Sequence, residues 1–224
     1  MKEHKEIELK FPLTESEYRL LKNKLSQNLS RIDLDQNDFV IKLKSGENLR
    51  IRREQNQTLL THKKRIYNSQ DHFLYCQEAE CVLDKNHLDE IKSILKQLNV
   101  SITDEQLDLD YPEFKAWLQH ALSSQSSYSV NIHKQRSEFK QSPYTYVLDW
   151  VENLGYFLEI EQLVPLADKT NEEELRQQIR HKLLDLELTD RENLIQGYTV
   201  LMHEKNLKEN ESPPISKQNA KTIC

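Results

Sequence analysis

Pairs of charged residues with the same sign recur two positions apart along this chain of 224 residues. Alternate residues of a β-strand point to the same face, about 6.5–7 Å apart, so each pair would place two like charges side by side. Carboxylate pairs suit a hard divalent cation such as Mg²⁺ or Mn²⁺, whereas Lys and Arg pairs suit phosphate oxygens. The pairs are Glu6 and Glu8, Arg50 and Arg52, Glu78 and Glu80, Lys134 and Arg136, and Glu159 and Glu161.

A second explanation fits the same pattern, because the solvent-exposed face of an amphipathic antiparallel sheet also carries charged residues. Like charges at this spacing repel one another, however, unless a group of opposite charge lies between them. Lys10 extends the first acidic strand, and Asp149 lies on the strand that precedes the last acidic pair. The residues alone therefore leave two interpretations open: a solvated charged face, or a site for a metal ion and a polyphosphate.

The glycine content excludes phosphate sites that are built from glycine-rich loops. Gly46, Gly155 and Gly197 are the only glycines, and no two are close enough to share a P-loop or a dinucleotide-binding loop. If the protein handles phosphates, side chains must therefore hold them.

The remaining bulk properties narrow the class of protein. Three cysteines form no CxxC pair and eight histidines form no HExxH motif, which argues against a disulfide framework and a zinc site. The net charge of −6 disfavours non-specific binding to nucleic acid. No stretch approaches the roughly 18 apolar residues of a membrane span. We therefore expect a cytoplasmic protein with reduced cysteines that binds neither nucleic acid nor membranes.

The spacing of apolar residues predicts alternating blocks of strands and helices. Capping sequences that begin at Thr14, Thr170 and Thr189 predict three helices, the last two over about 171–186 and 191–205. The segment at about 86–125 is helical in period, with a weaker cap at Thr103 before a helix that reaches Leu122. Strands are expected at about 4–11, 37–44, 48–54, 57–65, 72–83, 128–139, 144–151 and 156–163.

This order of elements predicts an α+β fold with a largely antiparallel sheet that is curled or closed. We expect a single domain over residues 1–206, in which 86–125 is a helical insertion and 171–205 holds the C-terminal helices. Residues 207–224 are polar and contain adjacent prolines, which predicts a disordered tail.

The sequence EIELK at residues 6–10 resembles the N-terminal ExExK signature of the CYTH domain, the family of triphosphate tunnel metalloenzymes. That family includes thiamine triphosphatases, inorganic tripolyphosphatases and class IV adenylyl cyclases. One such signature is weak evidence, but further similarities follow in the family's order. They are LRIRR at 49–53, LTHK at 60–63, EAE at 78–80, HKQRS at 133–137 and DWVENLGYFLEIE at 149–161.

The resemblance implies an eight-stranded antiparallel β-barrel that forms a tunnel, with charged side chains inside and apolar side chains packed outward against flanking helices. It implies that the tunnel binds Mg²⁺ or Mn²⁺ through carboxylates, namely those of Glu6, Glu8, Asp149, Glu159 and Glu161. It also implies that basic side chains hold the triphosphate, namely Lys10, Arg50, Arg52, Lys63, Lys134 and Arg136.

Three further residues take more specific roles from the resemblance. Glu78 and Glu80 match tunnel acids that bind metal or position the attacking group, and with Lys10 they form the expected catalytic set. Arg191 is similar in position to a residue of the helix that closes one tunnel mouth, so it is either a further phosphate contact or an exposed charge in a first helical turn.

Two departures from the family pattern concern the grip on the substrate. Cys76 stands where an R-x-E-x-E pattern would place arginine, which removes one phosphate contact. Lys64 and Arg65 follow Lys63 where many members have Gly-Pro, a change that could rebuild the tunnel rim or compensate for Cys76.

The resemblance supports three hypotheses about function. The first is metal-dependent hydrolysis of inorganic tripolyphosphate or thiamine triphosphate. The alternative is a class IV adenylyl cyclase that makes cyclic AMP and pyrophosphate from ATP, and the third is an inactive module that binds polyphosphate or nucleotide. Hydrolysis is favoured because it needs no ordered nucleoside pocket. The expected partner is a small-molecule triphosphate, and we expect a monomer or a homodimer.

Overall fold

The chain folds as strands and helices in nearly the predicted order. The structure, a computed structural model, describes residues 4–67, 73–165, 170–188 and 191–211. The helices are α1 (Glu15–Asn28), α2 (Leu88–Lys96), α3 (Asp104–Leu107), α4 (Tyr111–Ala121), α5 (Glu172–Asp185) and α6 (Tyr198–Glu211). The strands are β1 (His4–Leu13), β2 (Arg31–Leu43), β3 (Asn48–Glu54), β4 (Gln57–Tyr67), β5 (Phe73–Val82), β6 (Ser126–Gln141), β7 (Tyr144–Val151) and β8 (Gly155–Pro165).

The eight strands close into one antiparallel barrel, as the resemblance implied. Their order around the barrel is β1-β5-β4-β3-β2-β6-β7-β8. Gly46 lies in the turn between β2 and β3 with φ +90°, a backbone conformation that favours glycine. None of the helices among the described residues has the length and apolar character needed to cross a membrane.

Most apolar side chains of the barrel point outward and are covered by helices, which confirms the inverted arrangement. Buried residues of α1 and α5, such as Leu21 and Ile179, form one core with Leu9, Leu158 and Ile160 on the outer barrel face. On the other side, α2 and α4 cover the outward residues of β2, β3 and β4. The strands can therefore turn their charged residues inward because the helices remove the apolar outer face from water.

Part of the barrel interior, however, is apolar. Val40 and Ile132 line the central cavity, and they form a core cluster with Phe157, Tyr198 and Met202. Tyr198 and Met202 belong to α6, which is thereby anchored to residues of the inner wall. The interior is therefore charged along most of its length and apolar at this end, where α6 packs.

The predicted helix at 191–205 begins seven residues late in the structure, at Tyr198. The backbone around Asn193 pairs with β1 instead: Asn193 Oδ1 accepts from the Lys10 N–H at 2.9 Å, and the Leu194 N–H donates to the Lys10 carbonyl at 2.7 Å. These tertiary hydrogen bonds outweigh the local helix signal. The predicted cap at Thr189 lies outside the described residues.

Three other boundaries also differ from the predictions. Strand β2 begins at Arg31 rather than near residue 37, because its polar first half pairs with β6. The helix expected between 103 and 122 is two helices, since Asp110 caps α4 through the Glu113 N–H at 2.9 Å. Helix α6 runs to Glu211, past the expected domain end at 206, and the rest of the predicted tail lies outside the described residues.

The packing of α6 yields a testable prediction. Met202 is 5% exposed and Leu207 is 47% exposed on the same helix. Met202→Asp should lower the free energy of unfolding by about 3 kcal/mol, because it buries a carboxylate, and Leu207→Asp should change it by less than about 0.5 kcal/mol. Urea unfolding of both variants measures the difference. Equal destabilisation by the two substitutions would contradict the interior placement of Met202.

Candidate active site

A central cavity of about 810 Å³ lies inside the barrel. Period-two alternation brings charged residues of β1, β3, β4, β5, β6 and β8 to this interior, as the resemblance implied. Asp149 and Arg191 are not among the residues that line it. The lining includes the other twelve residues that the sequence singled out: Glu6, Glu8, Lys10, Arg50, Arg52, Lys63, Glu78, Glu80, Lys134, Arg136, Glu159 and Glu161.

The closure of the sheet sets acidic strands across from basic strands. In a ring of eight, the strand four places away lies on the opposite side, so β8, β1 and β5 face β3, β2 and β6. We call Glu6, Glu8, Glu78 and Glu161, on the first three strands, the acidic wall. We call Arg50, Arg52, Lys134 and Arg136, on β3 and β6, the basic wall.

Two arginines of the basic wall are held rigidly by buried carboxylates. Arg52 donates from Nε and Nη2 to the two oxygens of Asp38, at 2.7 and 2.9 Å. Arg136 donates in the same way to Asp149, at 2.9 and 2.7 Å, and also to Glu159 Oε2 at 2.9 Å. Such two-point pairs fix both position and orientation of the guanidinium.

Lys134 is the residue of the basic wall whose positive charge is least compensated. Its side chain is only 4% exposed, and its ammonium lies 3.9 Å from Asp149 Oδ2, too far for a hydrogen bond. Among the described residues it has no closer carboxylate. Burial and the neighbouring Arg136 lower the pKa of Lys134 to about 7. A bound anion would remove the cause of this shift, because it would compensate both burial and repulsion.

On the acidic wall, the pKa values of two buried carboxyl groups are raised. Burial raises the pKa of Glu6 to about 7, with Glu78 and Glu8 adding to the effect and Lys63 opposing it. Burial and the charge of Glu6 raise the pKa of Glu161 to about 8. Carboxylates that resist ionisation in this way would gain from a cation placed between them.

The same carboxylates pass a test of fit for a divalent cation. Glu8 and Glu161 are partners in the β1–β8 register, and neither forms an ion pair within the described part of the chain. Lys63 lies 3.0 Å from Glu6 and 2.6 Å from Glu78. The described residues contain no preformed group of three or more metal-binding side chains. The hard oxygen donors that a divalent cation prefers are therefore present but not gathered into one site, and Glu6 would have to exchange its lysine partner for the metal.

Glu159 and Asp149 are engaged differently from the other predicted ligands. Glu159 Oε1 pairs with the Lys10 ammonium at 2.9 Å, while its other oxygen binds Arg136. Asp149 is fully buried, and besides Arg136 it accepts a hydrogen bond from the Tyr198 hydroxyl at 3.0 Å. Their oxygens are therefore committed to positioning basic side chains.

Neighbouring carboxylates keep Lys10 in its charged form. Burial alone would lower the pKa of Lys10, but Glu159 and Glu8 outweigh that effect and raise it. Its ammonium also lies 4.1 Å from the centroid of the Tyr198 ring, a cation–π contact.

Arg191 lies away from the cavity. It pairs with Glu17, and it donates to the Pro12 carbonyl at 3.1 Å. The segment before α6 thus uses this arginine to attach to the start of α1, and we do not propose it as a phosphate contact.

The departure at Cys76 leaves an inert thiol and a nearby arginine. Cys76 is buried, and burial raises its pKa to about 11. Arg65 is its direct partner in the β4–β5 register and lines the cavity. A guanidinium is therefore supplied from the neighbouring strand, which supports the suggestion that Arg65 compensates for Cys76.

Two residues of the site, Asp38 and Tyr198, were not predicted from the sequence. Asp38 stands alone in a polar run without a like-charged neighbour two residues away, so the pair pattern could not find it. Its register partner is Arg52, and a search for opposite charges across predicted neighbouring strands would have identified it. Tyr198 gave no signal, because its role depends on where α6 begins.

Comparisons with known proteins agree with this geometry. The family model described as the CYTH domain matches residues 4–198. No curated protein matches the sequence.

Solved structures share the fold. The PH1012 protein of Pyrococcus horikoshii has 21% identity and a TM-score of 0.59, with coverage of 88% of this chain and 99% of that one. HpAC1 of Hippeastrum, a proposed adenylyl cyclase with a dominant triphosphatase activity, has 17% identity and a TM-score of 0.55, with coverage of 90% and 96%. A proposed adenylate cyclase of Bacillus halodurans has 17% identity and a TM-score of 0.52, with coverage of 90% and 98%.

These structures are similar in fold alone, at identities below a quarter. The family model, in contrast, covers most of the chain and includes all the strands of the charged cavity. This chain belongs to the CYTH domain family.

Proposed function

We propose that the protein is a divalent-metal-dependent triphosphatase that hydrolyses inorganic tripolyphosphate or thiamine triphosphate in the barrel cavity. The observation that carries this proposal is the pair of facing walls, each with more like charge than its own partners compensate. A complex of a divalent cation with a polyphosphate offers the missing charge to both walls at once. The CYTH family is enzymatic and metal-dependent in general, in agreement with this proposal.

In this proposal Glu6, Glu8 and Glu161 hold Mg²⁺ or Mn²⁺ on the acidic wall. When bound, the metal would supply charge neutralisation at the phosphate oxygens. Asp149 and Glu159, which the resemblance suggested as ligands, hold Arg136 and Lys10 in place instead. The metal set proposed from the structure is therefore smaller than the one proposed from the sequence.

The basic side chains then bind and orient the substrate. Arg52 and Arg136 present fixed guanidinium groups, and Lys134 supplies an ammonium without a hydrogen-bonding partner of its own among the described residues. Arg50 can also donate to the substrate, since its buried Nε has no hydrogen-bonding partner in the described part of the chain. Charge that develops on the transferring phosphoryl group and on the departing phosphate is stabilised without any rearrangement of these residues.

Hydrolysis requires a water molecule in line with the bond that breaks, between the attacked phosphorus and its bridging oxygen. Glu78 is proposed to orient this water by accepting its hydrogen bond. Although burial alone would raise the pKa of Glu78, Lys63 and Arg50 lower it to about 2, so the group stays ionised and accepts hydrogen bonds. Glu80 is engaged with Thr61 at 2.6 Å and Arg50 at 3.3 Å, which suits a supporting role.

An adenylyl cyclase remains the second candidate, because solved neighbours include proposed cyclases. A cyclase must also hold an adenine ring in a fixed orientation. Among the described residues that line the cavity, Tyr198 is the only Phe, Tyr or Trp, and the Lys10 ammonium lies over its ring, 4.1 Å from the centroid. This arrangement favours hydrolysis. An inactive binding module is the third candidate and is disfavoured by the intact acidic wall.

The proposal can be tested by incubating the purified protein with Mg²⁺ or Mn²⁺ and with tripolyphosphate, thiamine triphosphate or ATP, and by assaying phosphate and cyclic AMP. We expect phosphate release from one of the first two substrates. Glu8→Gln should lower the rate about 100-fold or more without unfolding the protein, because it removes a metal ligand. Glu152→Gln, in the exposed turn between β7 and β8, is the matched control and should keep the rate. Cyclic AMP as the main product, or a wild-type rate in Glu8→Gln, would contradict the proposal.

The lowered pKa of Lys134 gives a second prediction. With a pKa of about 7, the Lys134 side chain of the unliganded protein is mostly deprotonated at a pH of about 8. A bound polyanion raises that pKa, because it stabilises the charged form. Binding of the polyanion at this pH therefore takes up as much as about one proton. Calorimetry of metal-free tripolyphosphate binding in buffers of different ionisation enthalpy measures this uptake. Lys134→Arg keeps the charge but cannot titrate, and should show less uptake. Equal uptake in both proteins would show that Lys134 is not at the anion.

A further inference from the structure

The amino end of α6 faces the same central cavity. Gly197, Tyr198 and Thr199 all line it. The first N–H groups of a helix have no partner within the helix. Gly197 has no side chain with which to cap them, and its carbonyl accepts from the N–H groups of Val200 and Leu201. Among the described residues, the N–H groups of Tyr198 and Thr199 have no acceptor.

A second observation in the same cavity, beside the Tyr198 ring, points to an anion. Lys134 lines this cavity with a side chain that is 4% exposed, and no described residue accepts a hydrogen bond from its ammonium. The ammonium lies 5.5 Å from the centroid of the Tyr198 ring, and the Lys10 ammonium lies 4.1 Å from it. A buried cation without a hydrogen-bonding partner is costly, and it is stabilised when an anion occupies the neighbouring space.

We infer that the amino end of α6 is a backbone subsite for a terminal phosphate of the bound polyphosphate, formed by the free N–H groups of α6 and the ammonium of Lys134. The inference rests on the proposed function and adds a contact that no side chain supplies. Helix α6 has 14 residues, long enough for a full helix dipole with its positive end at Tyr198. Gly197 carries no side chain of its own, and the nearest atom to the position that its Cβ would take is Arg65 Nη2, at 3.8 Å.

This subsite revises one conclusion from the glycine content. The absence of glycine-rich loops implied that side chains alone would hold phosphate. Gly197 is a lone glycine outside any such motif, yet the fold brings it to the cavity. Backbone and side-chain contacts would therefore share the polyanion.

Thr199→Pro tests the subsite because it removes one N–H group from the first helical turn. Proline is tolerated there, and α4 already begins with the same dipeptide, Tyr111 and Pro112. Thr199→Val is the matched reference, since it also lacks the hydroxyl but keeps the N–H group. We expect Thr199→Pro to bind metal-free tripolyphosphate about tenfold more weakly than Thr199→Val, as the loss of one hydrogen bond to a charged group predicts.

Equal affinity of the two variants would overturn the subsite while leaving the proposed function intact. Failure of the wild-type protein to bind tripolyphosphate both without metal and with Mg²⁺ would overturn both. If Thr199→Pro does not fold, the wild-type protein provides the test through NMR. The amide proton of Thr199 should shift downfield when tripolyphosphate is added, and an unchanged resonance under saturating conditions would overturn the inference.

Discussion

The burial of ionised groups, many of like sign, inside a closed barrel is the constraint on which the rest of this structure depends. Removing an ionised group from water costs several kcal/mol, and a partner at about 4 Å returns about 4 kcal/mol at an effective dielectric constant near 20. Arg52 and Arg136 are compensated by buried two-point carboxylate partners. Lys134 and Glu161 are not, which is why their pKa values move toward neutrality. A bound complex of metal and polyphosphate would compensate both of these charges.

The stability of such an interior comes from the outside of the barrel and from one inserted helix. Outward residues of the strands join α1, α2, α4 and α5 in two apolar cores. A third cluster anchors α6 to the inner wall, where Tyr198 links that helix to Asp149 by a hydrogen bond of 3.0 Å. Asp149 in turn orients Arg136. Helix α6 is thus coupled to the basic wall through the buried carboxylate of Asp149 and through the contact of the Tyr198 ring with Lys134.

Much of the site follows from sequence, because a period of two decides which side chains share a face. Most strand positions, and the charged residues that share a face on β1, β3, β5, β6 and β8, could be predicted. The division into two walls could not, since it depends on the order in which strands meet when the sheet closes. Asp38 was missed for a related reason: its partner Arg52 is adjacent across strands and distant along the chain.

The start of α6 shows where local signals fail. A capping sequence at Thr189 predicts a helix from 191, but the Lys10 N–H donates to Asn193 Oδ1, the Leu194 N–H donates to the Lys10 carbonyl, and the helix begins only at Tyr198. Only that delay brings Tyr198 and the helix amino end to the cavity. Local propensity is worth tenths of a kcal/mol per residue, so two hydrogen bonds to a buried strand can displace a helix boundary.

The binding of metal by the acidic wall and of polyphosphate by the basic wall can be tested with a crystal structure that contains Mn²⁺ and a non-hydrolysable analogue of tripolyphosphate. Anomalous scattering would locate the manganese. We expect manganese on the acidic wall, in contact with Glu6, Glu8 and Glu161, and phosphate oxygens on Arg52, Lys134 and Arg136. Manganese and analogue bound outside the barrel, with the two walls unchanged, would contradict it.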